Sequence, residues 1–159
     1  MPMFRSLLLS SLMLGLFHVD GVRADPDLNQ RFIAASQKMG EGMIELVKSC
    51  APSIDLSGVD AEFTPRMREA TECVVDTHIE RFGRGQTEEL VEQAEAMAAQ
   101  SFSSLQEMTT LQQDYPRLSS PDLLEINRSC GTLEASNDLP MNRVLRENMA
   151  QMTDCFSGQ

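Results

Sequence analysis

The sequence predicts an all-α fold, a small helical bundle of about five helices. Three observations lead there. Apolar residues recur at three- and four-residue spacing in several segments, Thr-Pro, Ser-Pro and glycine stand at the ends of those segments, and no stretch sustains the apolar-polar alternation of a strand.

The chain opens on a different pattern. Arg5 forms a short basic head, residues 7–17 are apolar, and a polar run closes on Val22-Arg23-Ala24. Small residues three positions and one position before a cut are what signal peptidase accepts. A cleaved signal peptide over residues 1–24 is therefore expected, with Asp25 as the new N-terminus and residues 25–159 as one helical domain. A membrane anchor would need about 20 apolar residues, and this stretch is shorter. No cysteine stands at a plausible cleavage point for lipid attachment.

The first helix is read over Leu28 to Cys50, where Leu28, Phe32, Ala35, Met39, Met43, Leu46, Val47 and Cys50 share one face, and Ala51-Pro52 ends it. A turn-rich loop follows. Thr64-Pro65 then supplies a cap and a first-turn proline for a second helix, with Phe63, Met67, Ala70, Val74 and His78 near one face and Phe82-Gly83 as its end. Thr87 is read as the cap of a long central helix carrying Leu90, Ala94, Met97, Leu105, Met108 and Leu111 and stopping before Tyr115-Pro116. Ser120-Pro121-Asp122 opens a short fourth helix that runs into Cys130 and closes at Gly131. After a loop at "TLEASNDLP", Met141, Val144, Leu145, Met149, Met152 and Phe156 mark a last amphipathic helix.

All four cysteines, Cys50, Cys73, Cys130 and Cys155, follow the leader, and an even count in an exported chain reads as a disulfide framework. Four cysteines allow three pairings. A repeat suggests one of them: "MIELVKSC" ending at Cys50 matches "LLEINRSC" ending at Cys130 at Glu45/Glu125, Ser49/Ser129 and the cysteine, and "MREATEC" ending at Cys73 resembles "MAQMTDC" ending at Cys155. On that basis two related units are expected, each a helical pair pinned by its own bridge, Cys50 to Cys73 and Cys130 to Cys155, joined by the central helix. Each bridge would stabilise by roughly 3 kcal/mol in the chain-entropy picture. Zinc-type ligation is disfavoured because no Cys-x-x-Cys occurs.

Without the leader the chain carries 11 basic and 23 acidic residues, a net charge of −12. Such a chain repels nucleic-acid phosphates and anionic lipid surfaces, and no segment after Ala24 is apolar for long enough to span a bilayer, so neither nucleic acid nor stable membrane insertion after cleavage is expected.

No catalytic, cofactor or metal constellation emerges. His78 is the one histidine after the leader, and Asp76 and Glu80 are not spaced to present carboxylates to its ring, which favours a structural role. Residues 55–62, "DLSGVDAE", resemble a calcium loop but misplace its glycine and closing glutamate, so they read as a turn with exposed acids. Glu88, Glu89 and Glu92 lie near a helix start, where they offset its dipole. Eight methionines after the leader, against five phenylalanines, one tyrosine and no tryptophan, are the one oddity. Met39 with Met43, and Met149 with Met152, are each about one turn apart. Thioethers select copper(I), but these positions fall on stripes that need burial, which favours packing. Residues 127–129, "NRS", form a glycosylation sequon by pattern.

The expected function is an exported, periplasmic or secreted, non-catalytic interaction module that binds a protein or small ligand. An exported enzyme, for instance a hydrolase with residues gathered from separate helices, is one alternative; methionine-based copper(I) binding is the other.

Overall fold

In the computed structural model, which describes residues 25–157, every regular element is helical. The expected leader, residues 1–24, lies outside the described residues.

Helix α1 spans Pro26–Cys50 and begins where Asp25 Oδ1 accepts from the amides of Asp27 and Leu28, with Pro26 at the first helical position. At 1.5 Å per residue it runs about 37 Å. It runs through both halves of the molecule.

The first half of α1 sits in a bundle with α2 (Pro65–Phe82), α3 (Arg84–Ala98) and, across α2, α5 (Pro121–Ser129). Leu28 packs with Val75 and Val91, Val74 with Leu90, Leu123 and Ile126, and Ala35 with Ala94 and Ala98. Phe32 touches all three groups. Arg31 closes the α1–α3 seam with a two-pronged contact to Glu95, both hydrogen bonds at 2.8 Å. That contact holds the Glu95 carboxyl below its usual range and raises the Arg31 guanidinium further above an already high value.

The second half of α1 carries a separate core of Ile44, Val47, Ala51, Ile54, Met141, Met152 and Cys155. Ile44 and Val47 belong to α1 itself; the others come from the loop after α1, from α7 (Pro140–Glu147), from a 3-10 turn at Met149–Met152 and from α8 (Thr153–Ser157). Helix α4 (Leu105–Gln113) packs on α8, and α6 (Thr132–Ser136) on α2 and α5.

The caps read from sequence hold at Thr64, whose hydroxyl accepts from the Met67 amide, and at Ser120, whose hydroxyl accepts from Leu123. Three expected boundaries are corrected. The long central helix breaks into α3 and α4 because Ser104 caps Glu107 while the Glu107 carboxylate reaches back to the Ser103 amide and hydroxyl, a variant of the capping box that starts a new helix. Helix α3 starts at Arg84 rather than at Thr87, which lies fully buried inside it. The last helix is divided at Asn148, whose amide side chain donates to Val144 O, and the loop before it holds α6, entered through Gly131 at φ 70°.

The disulfide pairing is also corrected. The bridges are Cys50–Cys155 and Cys73–Cys130, with Cα atoms 5.1 and 5.7 Å apart. The reason is axial register. Asn29 donates to Asp76 at 3.3 Å, while Gly40 lies against Ala61, so α2 runs antiparallel to α1. Cys73 is then level with the neighbourhood of Phe32, which packs against Val74. Cys50 lies about 27 Å further along α1, whereas a disulfide needs Cα atoms within about 7 Å. Cys73 instead meets Cys130 at the end of α5, and Cys50 meets Cys155 in the core at the far end of α1. The two pinned helical pairs are therefore replaced by nested bridges, one α2 to α5, the other closing the C-terminal elements onto α1.

Candidate functional site

Where the two halves of the molecule meet, they do not close completely. A cleft of about 240 Å³ opens between the middle of α1, residues 60–63, the start of α7 and one side chain of α4. Its wall holds Met39 and Met43 from α1, Met108 from α4 and Met141 from α7, with Ala61, Phe63 and Leu139; Ser36, Asp60 and Asn142 supply its polar atoms.

The backbone makes room for it at Gly40. A Cβ there would stand 3.0 Å from the Ala61 side chain, so any larger residue would push residues 60–62 a few tenths of an ångström away from α1. Asp60 Oδ1 accepts from the Glu62 amide at 3.0 Å and folds the segment into a local turn. Pro140 at the start of α7 places Met141 one residue into the helix, where it is buried.

On the other side of residues 60–61 lies an open groove of about 610 Å³. It includes Lys38, Glu41, Glu45, Lys48, Asp60 and Glu62 over a floor of Ile44 and Val59. Lys48 is engaged by Glu45 at 2.7 Å. Asp60 belongs to the lining of both depressions.

The methionine pairs singled out in the sequence part company. Met39 and Met43 line the cleft, whereas Met149 is 55% exposed and Met152 is buried in the core at the end of α1. Met108 and Met141 join the site from segments whose local pattern says only that they are apolar. The excess of methionine was the signal available; its convergence is long-range.

His78 has a different setting. It is buried where α2 meets α3, with Nδ1 2.8 Å from Thr87 Oγ1 and its ring centroid 4.7 Å from that of Phe82. The Thr87 hydroxyl donates to Gly83 O at 3.0 Å, so its one proton is committed, and His78 Nδ1 must carry the proton it donates to Thr87. Asp76 is engaged by Asn29. Burial, with the Arg117 charge adding to it and Asp122 opposing it, pushes the imidazole below its ordinary value. The folded state thus resists a proton that the unfolded chain accepts below about pH 6.5, so this contribution to stability is full above that value and is lost as pH falls. Melting temperature should drop between pH 7 and 5.5, and His78→Gln, whose amide can still donate to Thr87, should flatten that drop. An unchanged pH slope in the variant would contradict the assignment.

The turn at residues 55–62 holds two side chain to backbone bonds, Asp55 to the Ser57 amide and Asp60 to the Glu62 amide, and both aspartates are exposed. Hydrogen bonds from Ser57 keep the Asp55 carboxyl below its usual range. Among the described residues, no group of three or more His, Cys, Asp or Glu side chains is placed to hold a metal ion. No helix among them is long and apolar enough to cross a membrane.

No known protein family, curated protein or solved structure matches the chain.

Proposed function

We propose that the chain is an exported, non-catalytic binding module, braced by two disulfides, that receives an apolar group of its ligand in the methionine-lined cleft. The observation that carries this reading is the convergence of four methionines from three helices on the wall of one hollow, Met141 reaching it from the edge of the core at the end of α1. Methionine is unbranched and polarizable, so a wall built from it reshapes around different apolar surfaces. Support for export comes from the leader-like N-terminal sequence and from the bridging of all four cysteines, a feature of oxidising compartments.

An uncharged solvatochromic dye such as Nile red tests the cleft. The parent protein should enhance and blue-shift its emission. Ser36→Phe, which projects a ring into the cleft from α1, should weaken binding at least fivefold, and Met149→Ser, outside the cleft, should leave it unchanged. Equal binding by all three proteins would count against the cleft.

Copper(I) is a second reading, favoured by the same four thioethers in a chain whose thiols are all in disulfides. A hollow of about 240 Å³ suits an organic group better than one ion. Competition with a copper(I) chelator separates the two: the ligand-binding reading expects Met108→Leu to leave copper uptake unaltered. The enzymatic alternative would place His78 or converging carboxylates in a pocket; neither the cleft nor the groove includes His78, whereas Glu41, Glu45, Asp60 and Glu62 do line the open groove.

A further inference from the structure

We infer that the occupant of the cleft is a basic amphipathic peptide segment, with apolar side chains among the methionines and a lysine or arginine over the neighbouring acidic groove. This rests on the cleft being the binding site. Two features select the occupant.

The first is length. The cleft runs along α1 from Ser36 to Met43, about 10 Å of helix, enough for two apolar side chains spaced one helical turn apart. A single small group would leave part of the methionine wall uncovered.

The second is charge. Asp60 stands at the edge of both depressions, so a group leaving the cleft on that side meets its carboxylate first. Beyond it the groove presents Glu41 and Glu62. Lys48 is neutralised by Glu45, which leaves Lys38 as the one remaining cation of that lining against three carboxylates. The net charge of −12 after the leader extends the same preference over longer distance, attracting cationic segments and repelling acidic ones before contact. An apolar groove beside an acidic rim is complementary to a helix with one apolar and one basic face.

Two dye-labelled synthetic peptides provide the test. They share the same leucine and phenylalanine positions at one-turn spacing and differ only in carrying lysine or glutamate at the polar positions. Fluorescence anisotropy with the full disulfide-bonded protein should give at least tenfold tighter binding of the lysine peptide, weakened severalfold in 0.5 M NaCl. The double variant Glu41→Gln, Glu62→Gln, at two groove residues outside the cleft, should weaken the lysine peptide at least threefold while leaving Nile red binding unchanged. Both side chains are exposed, and the Glu62 amide that Asp60 Oδ1 accepts from belongs to the backbone, so the fold is retained. Equal affinity for both peptides, binding of neither, insensitivity to salt, or no effect of the double variant would each overturn the inference. In those cases, Nile red binding that Ser36→Phe still abolishes leaves the cleft reading standing. If Ser36→Phe changes neither dye nor peptide binding, the cleft reading falls as well.

Discussion

Replacing Cys155 with serine is expected to destabilise the protein by about 4 kcal/mol. The bridge it removes spans 105 residues of sequence, and a loop of that length taken alone would be worth about 4.7 kcal/mol in the chain-entropy picture. Because Cys73–Cys130 is nested inside it, the loop that remains to be closed is about half as long, which lowers the value slightly. The loss should appear as a fall in melting temperature of about 10 to 15 °C for a domain of this size. It should also free the Cys50 thiol at the end of α1, giving disulfide-linked dimers on a non-reducing gel. The pairing can be read directly, because trypsin leaves each cysteine in its own peptide: residues 49–66, 69–81, 129–143 and 147–159. Non-reducing mapping should join 49–66 to 147–159 and 69–81 to 129–143. A variant that melts like the parent, or a peptide joining 49–66 to 69–81, would contradict the nested arrangement.

The second large effect is expected at Ile126. Its side chain is fully buried where α5 meets α2, against Val74, Leu90 and Leu123. Ile126→Ala removes three carbons from a closed site and should cost about 2 to 5 kcal/mol, the usual range for an aliphatic side chain cut to alanine with a cavity left behind. Leu133→Ala on the neighbouring α6 is the control. Leu133 is 66% exposed, so its truncation should stay within about 0.5 kcal/mol. Urea denaturation of the two variants beside the parent would measure both. Equal losses would mean that α5 does not pack on α2 through this face.

What could be read from the sequence divides along the range of the interactions involved. Thr64-Pro65, Ser120-Pro121 and Ala51-Pro52 act within a turn of themselves, and the helices begin or end there as read. The break between α3 and α4 was also legible in principle, since Ser104 and Glu107 have capping-box spacing; a continuous apolar stripe obscured it. The disulfide pairing was not legible. The repeated octapeptide does describe something common to both places, because α1 ends at Cys50 and α5 ends beside Cys130. A helix end, however, carries no information about its partner. That depends on how far α1 projects past α2, which is decided by contacts such as Asn29 with Asp76 and Gly40 with Ala61 between segments far apart in sequence. The cleft is of the same kind: Met39, Met43, Met108 and Met141 are apolar positions on three stripes, and only the docking of α4 and α7 onto α1 brings them together.

Methyl-labelled methionine puts a spectroscopic probe at each of these positions and at the four methionines elsewhere after the leader, Met67, Met97, Met149 and Met152. Titrating the lysine-bearing amphipathic peptide into the labelled protein, with single Met→Leu variants to assign the signals, tests the binding site itself. The methyl resonances of Met39, Met43, Met108 and Met141 should shift together with one dissociation constant, while those of Met67, Met97, Met149 and Met152 stay in place. Shifts confined to the exposed Met149, or no methyl shift while the peptide binds, would place the binding surface elsewhere.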